Sequence, residues 1–309
     1  MKELIKKVPL PLCGVMLGTA ALGNLLQSYS ENLRLACGAA AAFLLVLLLL
    51  KLIFFPKAIA EDMKNPIMAS VSGTFTMGLM ILSTYIKPYV GGFAFFLWAA
   101  AILLHLALIV YFTVRFIFKL QMPKVFASYF IVYVGIAVAA VTAPAYEQLK
   151  LGSLTFWFGF VTFLALLVLV TYRYMKYTEV PNPAKPLFCI YAAPLSLCIA
   201  GYVQSVTPKS FGFLAAMLAG ATLIYLIALV KAAGYLKLPF APSYAAFTFP
   251  FVISAIAAKQ SMACFAKLNH PMPWLQWVVL AETIIAAVLV VYAYARFMMF
   301  LFQKEKKQA

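Results

Sequence analysis

Two ionisable side chains, His105 and Glu282, lie well inside apolar runs of the sequence. Ionisable groups at membrane depth are functional candidates by default, because the bilayer interior penalises them. The chemistry they would do is proton coupling, and that requires them to sit on a pathway. Both instead fall on stretches rich in Leu, Val, Ile and Ala, apart from the more polar segments. His105 therefore reads first as a structural histidine with its hydrogen bonds satisfied. Glu282, near the start of its segment, suits a partner for a loop cation, a subunit contact or a coupling group. No H-E-x-x-H, G-x-S-x-G or P-loop pattern occurs, so an enzyme has no residues to stand on. The cysteines Cys13, Cys37, Cys189, Cys198 and Cys264 lack C-x-x-C spacing, and neither a disulfide framework nor a metal site nor a cofactor is expected.

The elements that position these groups are membrane helices. The 309 residues are 66% hydrophobic and 10% charged, with runs such as GAAAAFLLVLLLLKLIFF, and this excludes a soluble globule. Ten segments are long enough to span, roughly 8–27, 36–55, 66–86, 92–116, 124–145, 153–173, 186–206, 211–231, 241–260 and 274–301. Connections are short, so residues 1–309 read as one all-α transmembrane domain.

A net charge of +16 invites a nucleic-acid reading, but the placement of the charges argues against it. The termini and the even-numbered connections hold 18 of the 24 Lys and Arg residues, Lys304, Lys306 and Lys307 among them. The opposite face holds only Arg34, Lys87, Lys150, Lys209, Lys259 and Lys267. Such asymmetry places both termini in the cytoplasm and favours an even number of spans. The first apolar segment is not read as a signal peptide, since its removal would leave nine spans and break the repeat described next.

The odd-numbered segments open alike, with PLCGVMLGTAALG at Pro11, PIMASVSGTFTMG at Pro66, PKVFASYFIVYVG at Pro123, PLFCIYAAPLSLC at Pro186 and PSYAAFTFPFVIS at Pro242. Proline suits the first turn of a helix, where its missing N–H is not needed. Five openings at a near-regular interval imply five copies of a helical hairpin. Even segments are uniformly apolar, as lipid-facing helices should be, whereas odd segments carry Gly, Ser, Thr, Tyr and Pro. An inner ring of five odd helices within an outer ring of five even ones follows economically. Composition alone fits a solid bundle equally well.

Counted seven residues from each opening proline, Gly18, Gly73, Phe130, Ala193 and Phe249 share one level; Thr19, Thr74, Ile131, Pro194 and Pro250 come next. That level is about 12 Å into the core, close to the midplane. Irregular backbone is tolerated there where it lines a cavity or packs on protein. Phe130 and Phe249 beside three small residues would form a hydrophobic constriction able to gate a pore, or else simply pack. Between their ends the odd segments hold no charge, only neutral groups such as Thr74 and Thr248, while lysines flank both mouths. A positive approach to a neutral interior suits a permeating anion.

The opening VPLPLCGVMLGTAALG, the Pro-led hairpins and above all AAFTFPFVISAIAA resemble the tellurite-resistance/dicarboxylate transporter (TehA) family. That family includes bacterial TehA, the plant guard-cell slow anion channel and yeast malate transporters, and the resemblance covers essentially the whole chain. It implies a homotrimer of ten-helix protomers in a bacterial inner membrane, each protomer with its own pore of pseudo-fivefold symmetry. By motif the occluding phenylalanine falls on Phe249, its fifth-helix assistant on Phe130, and the small first-helix residues on Gly14 and Gly18. The pore lining is expected to comprise Gly14, Gly18, Gly73, Thr74, Ala193, Pro194, Thr248 and Pro250, with Pro250 kinking the ninth helix so that Phe249 crosses the axis. The long soluble termini of the plant channels are missing, so kinase gating is not expected. The leading expectation is a passive channel for chloride or nitrate. The alternatives are a carrier of dicarboxylates or oxyanions such as tellurite, proton-coupled through Glu282 or His105, and a scaffold or sensor without transport.

Overall fold

A computed structural model describes residues 2–303, so Lys304, Lys306 and Lys307 of the charge count lie outside the described residues. Among the described residues there are helices and turns and no strand. In chain order the membrane segments are α1 (Leu12–Leu26), α2 (Glu31–Phe54), α3 (Pro66–Ile86), α4 (Gly91–Ile117), α5 (Tyr129–Tyr146), α6 (Leu149–Lys176), α7 (Asn182–Ser205), α8 (Phe211–Tyr235), α9 (Pro242–Lys267) and α10 (Leu275–Phe302). Nine of these are long and apolar enough to cross a membrane. The first is not, with 15 residues, which corrects the expected span from residue 8. Pro9 and Pro11 cannot donate to a helical ladder. The amides of Leu12, Cys13 and Gly14 bond back only three residues, to Pro9, Leu10 and Pro11, and the helix proper starts beyond that turn.

Odd and even segments separate by burial. The most apolar stretches of α3, α5, α7 and α9 are 67–89% buried within the chain, whereas those of α2, α4, α6, α8 and α10 are 28–39% buried. In α1 every residue but Asn24 and Leu26 is buried. The five odd helices pack as a closed ring, α1 on α3, α3 on α5, α5 on α7, α7 on α9 and α9 back on α1. Each even helix packs on its own odd helix and on the next one around the ring. Two kinds of hydrogen bond repeat at alternate joints. Ser70 meets Ser128 across α3 and α5, and Ser196 meets Ser254 across α7 and α9, at 2.8 and 3.1 Å. The Tyr85 hydroxyl donates to the Ala20 carbonyl across α3 and α1 at 2.7 Å, and Ser205 donates to the Ala140 carbonyl across α7 and α5 at 2.6 Å.

Four of the five inner helices are interrupted at depth. α3 breaks at Ser72, and α5 carries a 3₁₀ turn, Gly135–Ala137. α7 begins as a 3₁₀ stretch, Asn182–Ala192, before its α-helix Ala193–Ser205. In α9 the 3₁₀ stretch Pro242–Phe247 ends at Thr248 (φ −98°, ψ −94°), and an α-helix runs from Phe249 to Lys267. Pro194 and Pro250 both occupy the first two positions of the α-helices that follow. There a missing N–H removes no hydrogen bond. This corrects the expected kink: the backbone breaks at Thr248, and Pro250 starts the second helix instead of bending a continuous one. The opening prolines also vary in position. Pro66 follows an Asn65 cap that accepts from the amides of Ile67 and Met68, but Pro123 sits in a separate turn and Pro186 inside the 3₁₀ stretch of α7.

Candidate pore

Two cavities lie along the axis of the inner ring. At the N-terminal ends of the inner helices is a narrow chamber of about 230 Å³, to which all five helices contribute. Its wall is almost wholly apolar, and Thr74 and Ser243 are its polar residues. At the C-terminal ends lies a wider chamber of about 470 Å³, again walled by all five. Phe249 and Leu197 line both chambers, so these two side chains form the partition between them. Phe249 is 5% exposed and is the first residue of the α-helical part of α9. Its position is set from behind by α1. The Thr248 hydroxyl donates to the Gly14 carbonyl at 2.9 Å and shares its proton with the Ala245 carbonyl at 2.7 Å. A Cβ on Gly18 would stand 2.5 Å from the Thr248 Cβ and 2.8 Å from the Phe249 nitrogen, so only glycine lets α9 approach this closely.

Among the expected pore residues, Gly14, Thr74, Phe130, Ala193, Pro194, Phe249 and Pro250 line the narrow chamber. Three others face elsewhere. Gly18 faces α9, and the Thr248 hydroxyl is committed to the backbone of α1 and α9. A Cβ on Gly73 would meet Ile131, Leu108 and His105. They make contacts between helices that the cavity depends on, and their assignment to its wall is corrected. Phe130 is on the wall but off the partition, with its ring edge-on to Tyr191 at 5.3 Å and against Phe163 at 6.2 Å.

Residues 7–298 match the model of a protein family, SLAC1, described as voltage-dependent anion channel. The chain belongs to the voltage-dependent anion channel family. The match agrees with the resemblance read from the Pro-led hairpins and the ninth-helix motif. A comparison with curated proteins gives no match. As a SLAC1-family protein the chain is a multi-pass membrane protein of an anion channel and transporter family, and the axial chambers are where an anion path is to be sought.

Neither ionisable candidate of this SLAC1-family chain stands on the chamber walls described above. His105, on α4, is fully buried, with Nε2 3.0 Å from the Val132 carbonyl and Nδ1 2.6 Å from the Thr76 hydroxyl. A carbonyl can only accept, so Nε2 carries the proton in the neutral ring and Nδ1 accepts from Thr76. Gly73 and Gly135 leave the ring the room to reach between α3 and α5. His105→Ala should therefore take its imidazole donor from the Val132 carbonyl, while the Thr76 hydroxyl keeps the Gly73 carbonyl at 2.9 Å, and lower stability by about 1–3 kcal/mol. Thermal melting of purified protein in detergent checks this, and the pH dependence of anion flux per folded protein should not change. Glu282 on α10 is buried, and its Oε2 has no hydrogen-bond partner among the described residues; the same holds for the neighbouring Thr283 hydroxyl and for the Tyr225 hydroxyl on α8.

Sequence reasoning missed Leu197, because a leucine in an apolar run carries no mark of its own. It also missed the character of the wide chamber. Lys259, expected at a mouth, lies within α9 and lines the chamber, as do Gln204 and Gln260. The signal was available in the AAKQSMACFA run, whose apolar residues continue the helix past the lysine.

Proposed function

We propose that the chain is a passive anion pore held shut at Phe249, with Leu197 completing the block. The supporting observation is the partition: two chambers that together run along the axis meet only across these two apolar side chains. An apolar constriction blocks ions sterically and by dewetting, without any charged gate. Conduction follows when the Phe249 ring turns aside or the inner ring widens. The positive-inside charge pattern puts the narrow chamber on the cytoplasmic side and the wide one opposite. Neither chamber is walled by Asp or Glu, which favours anions over cations. Small monovalent anions such as chloride and nitrate fit a path with so few fixed charges, and Phe130 borders the route without closing it.

The carrier reading has one observation in its favour, the unpartnered Glu282 carboxyl. That group stands on an outer helix, off the chamber walls, so coupling through it would have to act at a distance. Currents across bilayers holding wild type and Phe249→Ala, with and without a pH gradient, test the reading. A mutant current that ignores the pH gradient supports the passive pore, and saturable, gradient-driven dicarboxylate uptake by wild type with no mutant current overturns it. A homotrimer in a bacterial inner membrane completes the proposal. Light scattering of the purified protein should give three chains per particle.

A further inference from the structure

The two chambers differ in chemistry as well as size. The narrow one offers a passing anion almost nothing to bind. The wide one is lined by polar side chains from all five inner helices: Asn24 on α1, Thr84 on α3, Thr142 on α5, Gln204 on α7, and Lys259 with Gln260 on α9. The Thr84 and Thr142 hydroxyls donate to the Ile81 and Val138 carbonyls, so the donors open to the cavity come from α1, α7 and α9. Charge is arranged within it too. Arg34 also lines the chamber, but its guanidinium is paired with Glu31 at 2.5 Å. Lys259 has no carboxylate partner among the described residues. Its ammonium is held in place by the Leu25 carbonyl at 3.0 Å and by the Ser28 hydroxyl, and it lies over the Tyr29 ring. An ammonium has three N–H groups, so one remains after those two bonds. Asn24 turns its Oδ1 to the Arg34 Nε at 3.3 Å, which leaves its NH₂ group for the cavity. Gln204 and Gln260 add further amide N–H groups.

We infer that the wide chamber is a binding site for one small oxyanion, a carboxylate or nitrate, organised around the Lys259 ammonium and flanked by the amides of Asn24, Gln204 and Gln260. One uncompensated charge matches a monovalent ligand. Donors spread over facing helices suit a ligand with several acceptor oxygens better than a compact halide, which reaches fewer of them at once. This rests on the pore reading for its role in transport: the ligand waits in the wide chamber, and the narrow chamber lets it go. The pore is therefore sided, saturating from one face of the membrane and not from the other.

The test uses Phe249→Ala protein in planar bilayers, with nitrate, formate or chloride added to one side at a time. Nitrate and formate currents should saturate only from the wide-chamber side. Adding Lys259→Gln should raise their half-saturating concentration about tenfold, the loss of one charge-assisted hydrogen bond. Lys259→Arg should restore the affinity. Gln204→Leu, which leaves the Lys259 anchorage untouched, should shift selectivity from nitrate toward chloride. Equal saturation from both sides, or no effect of Lys259→Gln, overturns the inference. If Phe249→Ala carries no current, the gate reading fails, and the site is then read by thermal stabilisation of the purified wild type. Nitrate and formate should raise its melting temperature but not that of Lys259→Gln, and an unmoved wild type overturns the site.

Discussion

Phe249→Ala should raise anion conductance by at least tenfold over wild type. The ring is half of a two-residue partition, and the other half, Leu197, belongs to a different helix and is smaller. Removing the ring joins the chambers into one continuous cavity and leaves Leu197 facing empty space. Each tenfold gain corresponds to about 1.4 kcal/mol off the barrier, a modest demand on a constriction whose whole effect is apolar occlusion. Phe249→Leu should fall between the two, because it keeps apolar bulk without the reach of a ring. Phe130→Ala should change little by comparison, since that ring is packed on Tyr191 and Phe163 to one side of the partition. Burial of Phe249 means that truncation also costs stability, up to about 3–5 kcal/mol for a fully packed phenylalanine. The cost here should lie below that range, because cavities flank the ring on both sides. Single-channel recording in bilayers of purified protein separates conductance from expression. A Phe249→Ala current no larger than the wild-type current would remove Phe249 from the gate.

Gly18→Ala should destabilise the protein and disturb the gate together. The added methyl would stand 2.5 Å from the Thr248 Cβ, 2.6 Å from its hydroxyl and 2.8 Å from the Phe249 nitrogen. A β-branched Cβ and a backbone atom cannot swing aside as the tip of a long side chain can, so α9 itself must retreat. Overpacking of this kind costs about 1–3 kcal/mol. The retreat would also strain the hydrogen bond from Thr248 to the Gly14 carbonyl, which positions the start of the helix that bears Phe249. The expected result is a lower melting temperature together with a raised basal conductance at an intact Phe249. Gly212→Ala serves as the control, because no atom lies within 4 Å of a Cβ there. Wild-type melting and wild-type current in Gly18→Ala would show that the close approach of α1 and α9 does not set the gate.

Much of this arrangement was legible in the sequence. The alternation of plain apolar segments with segments carrying small and polar residues gave the two rings, because lipid-facing and protein-facing helices meet different surroundings. A phenylalanine before a proline breaks the local pattern of the ninth segment and singled out Phe249, which lines both chambers. Counting residues from each proline failed where it assumed a uniform helix. A 3₁₀ stretch rises about 2.0 Å per residue against 1.5 Å in an α-helix. Equal counts therefore do not give equal depths along α5, α7 and α9. Gly18 and Gly73 lie on α-helical turns and face neighbouring helices. Glycines that admit a neighbour and glycines that border a cavity are the same letter, and only the packing of Thr248 or His105 against them tells the two apart. The ninth segment, expected over 241–260, continues to Lys267, so Lys259 lies within the helix, and its ammonium finds the Leu25 carbonyl at the end of α1 and the Ser28 hydroxyl just beyond it.

The closed ring of inner helices is not closed by the chain. Four of its five joints are tethered, because an even helix carries the polypeptide from each odd helix to the next. Among the described residues the joint between α9 and α1 has no such tether, and what holds it includes Thr248 on Gly14, Lys259 on Leu25 and the contact of α10 with α1. In mechanical terms the ring is a split washer, and Phe249 sits at the split. Spreading that joint strains no covalent link, so it is the softest place for the ring to dilate. The helix Lys2–Lys7 rests against α10. A circular permutant in which a linker carries the chain from α10 to α1 and a different connection is opened would keep every helix but move the split away from the phenylalanine. Its gate would then have to open against a tethered joint.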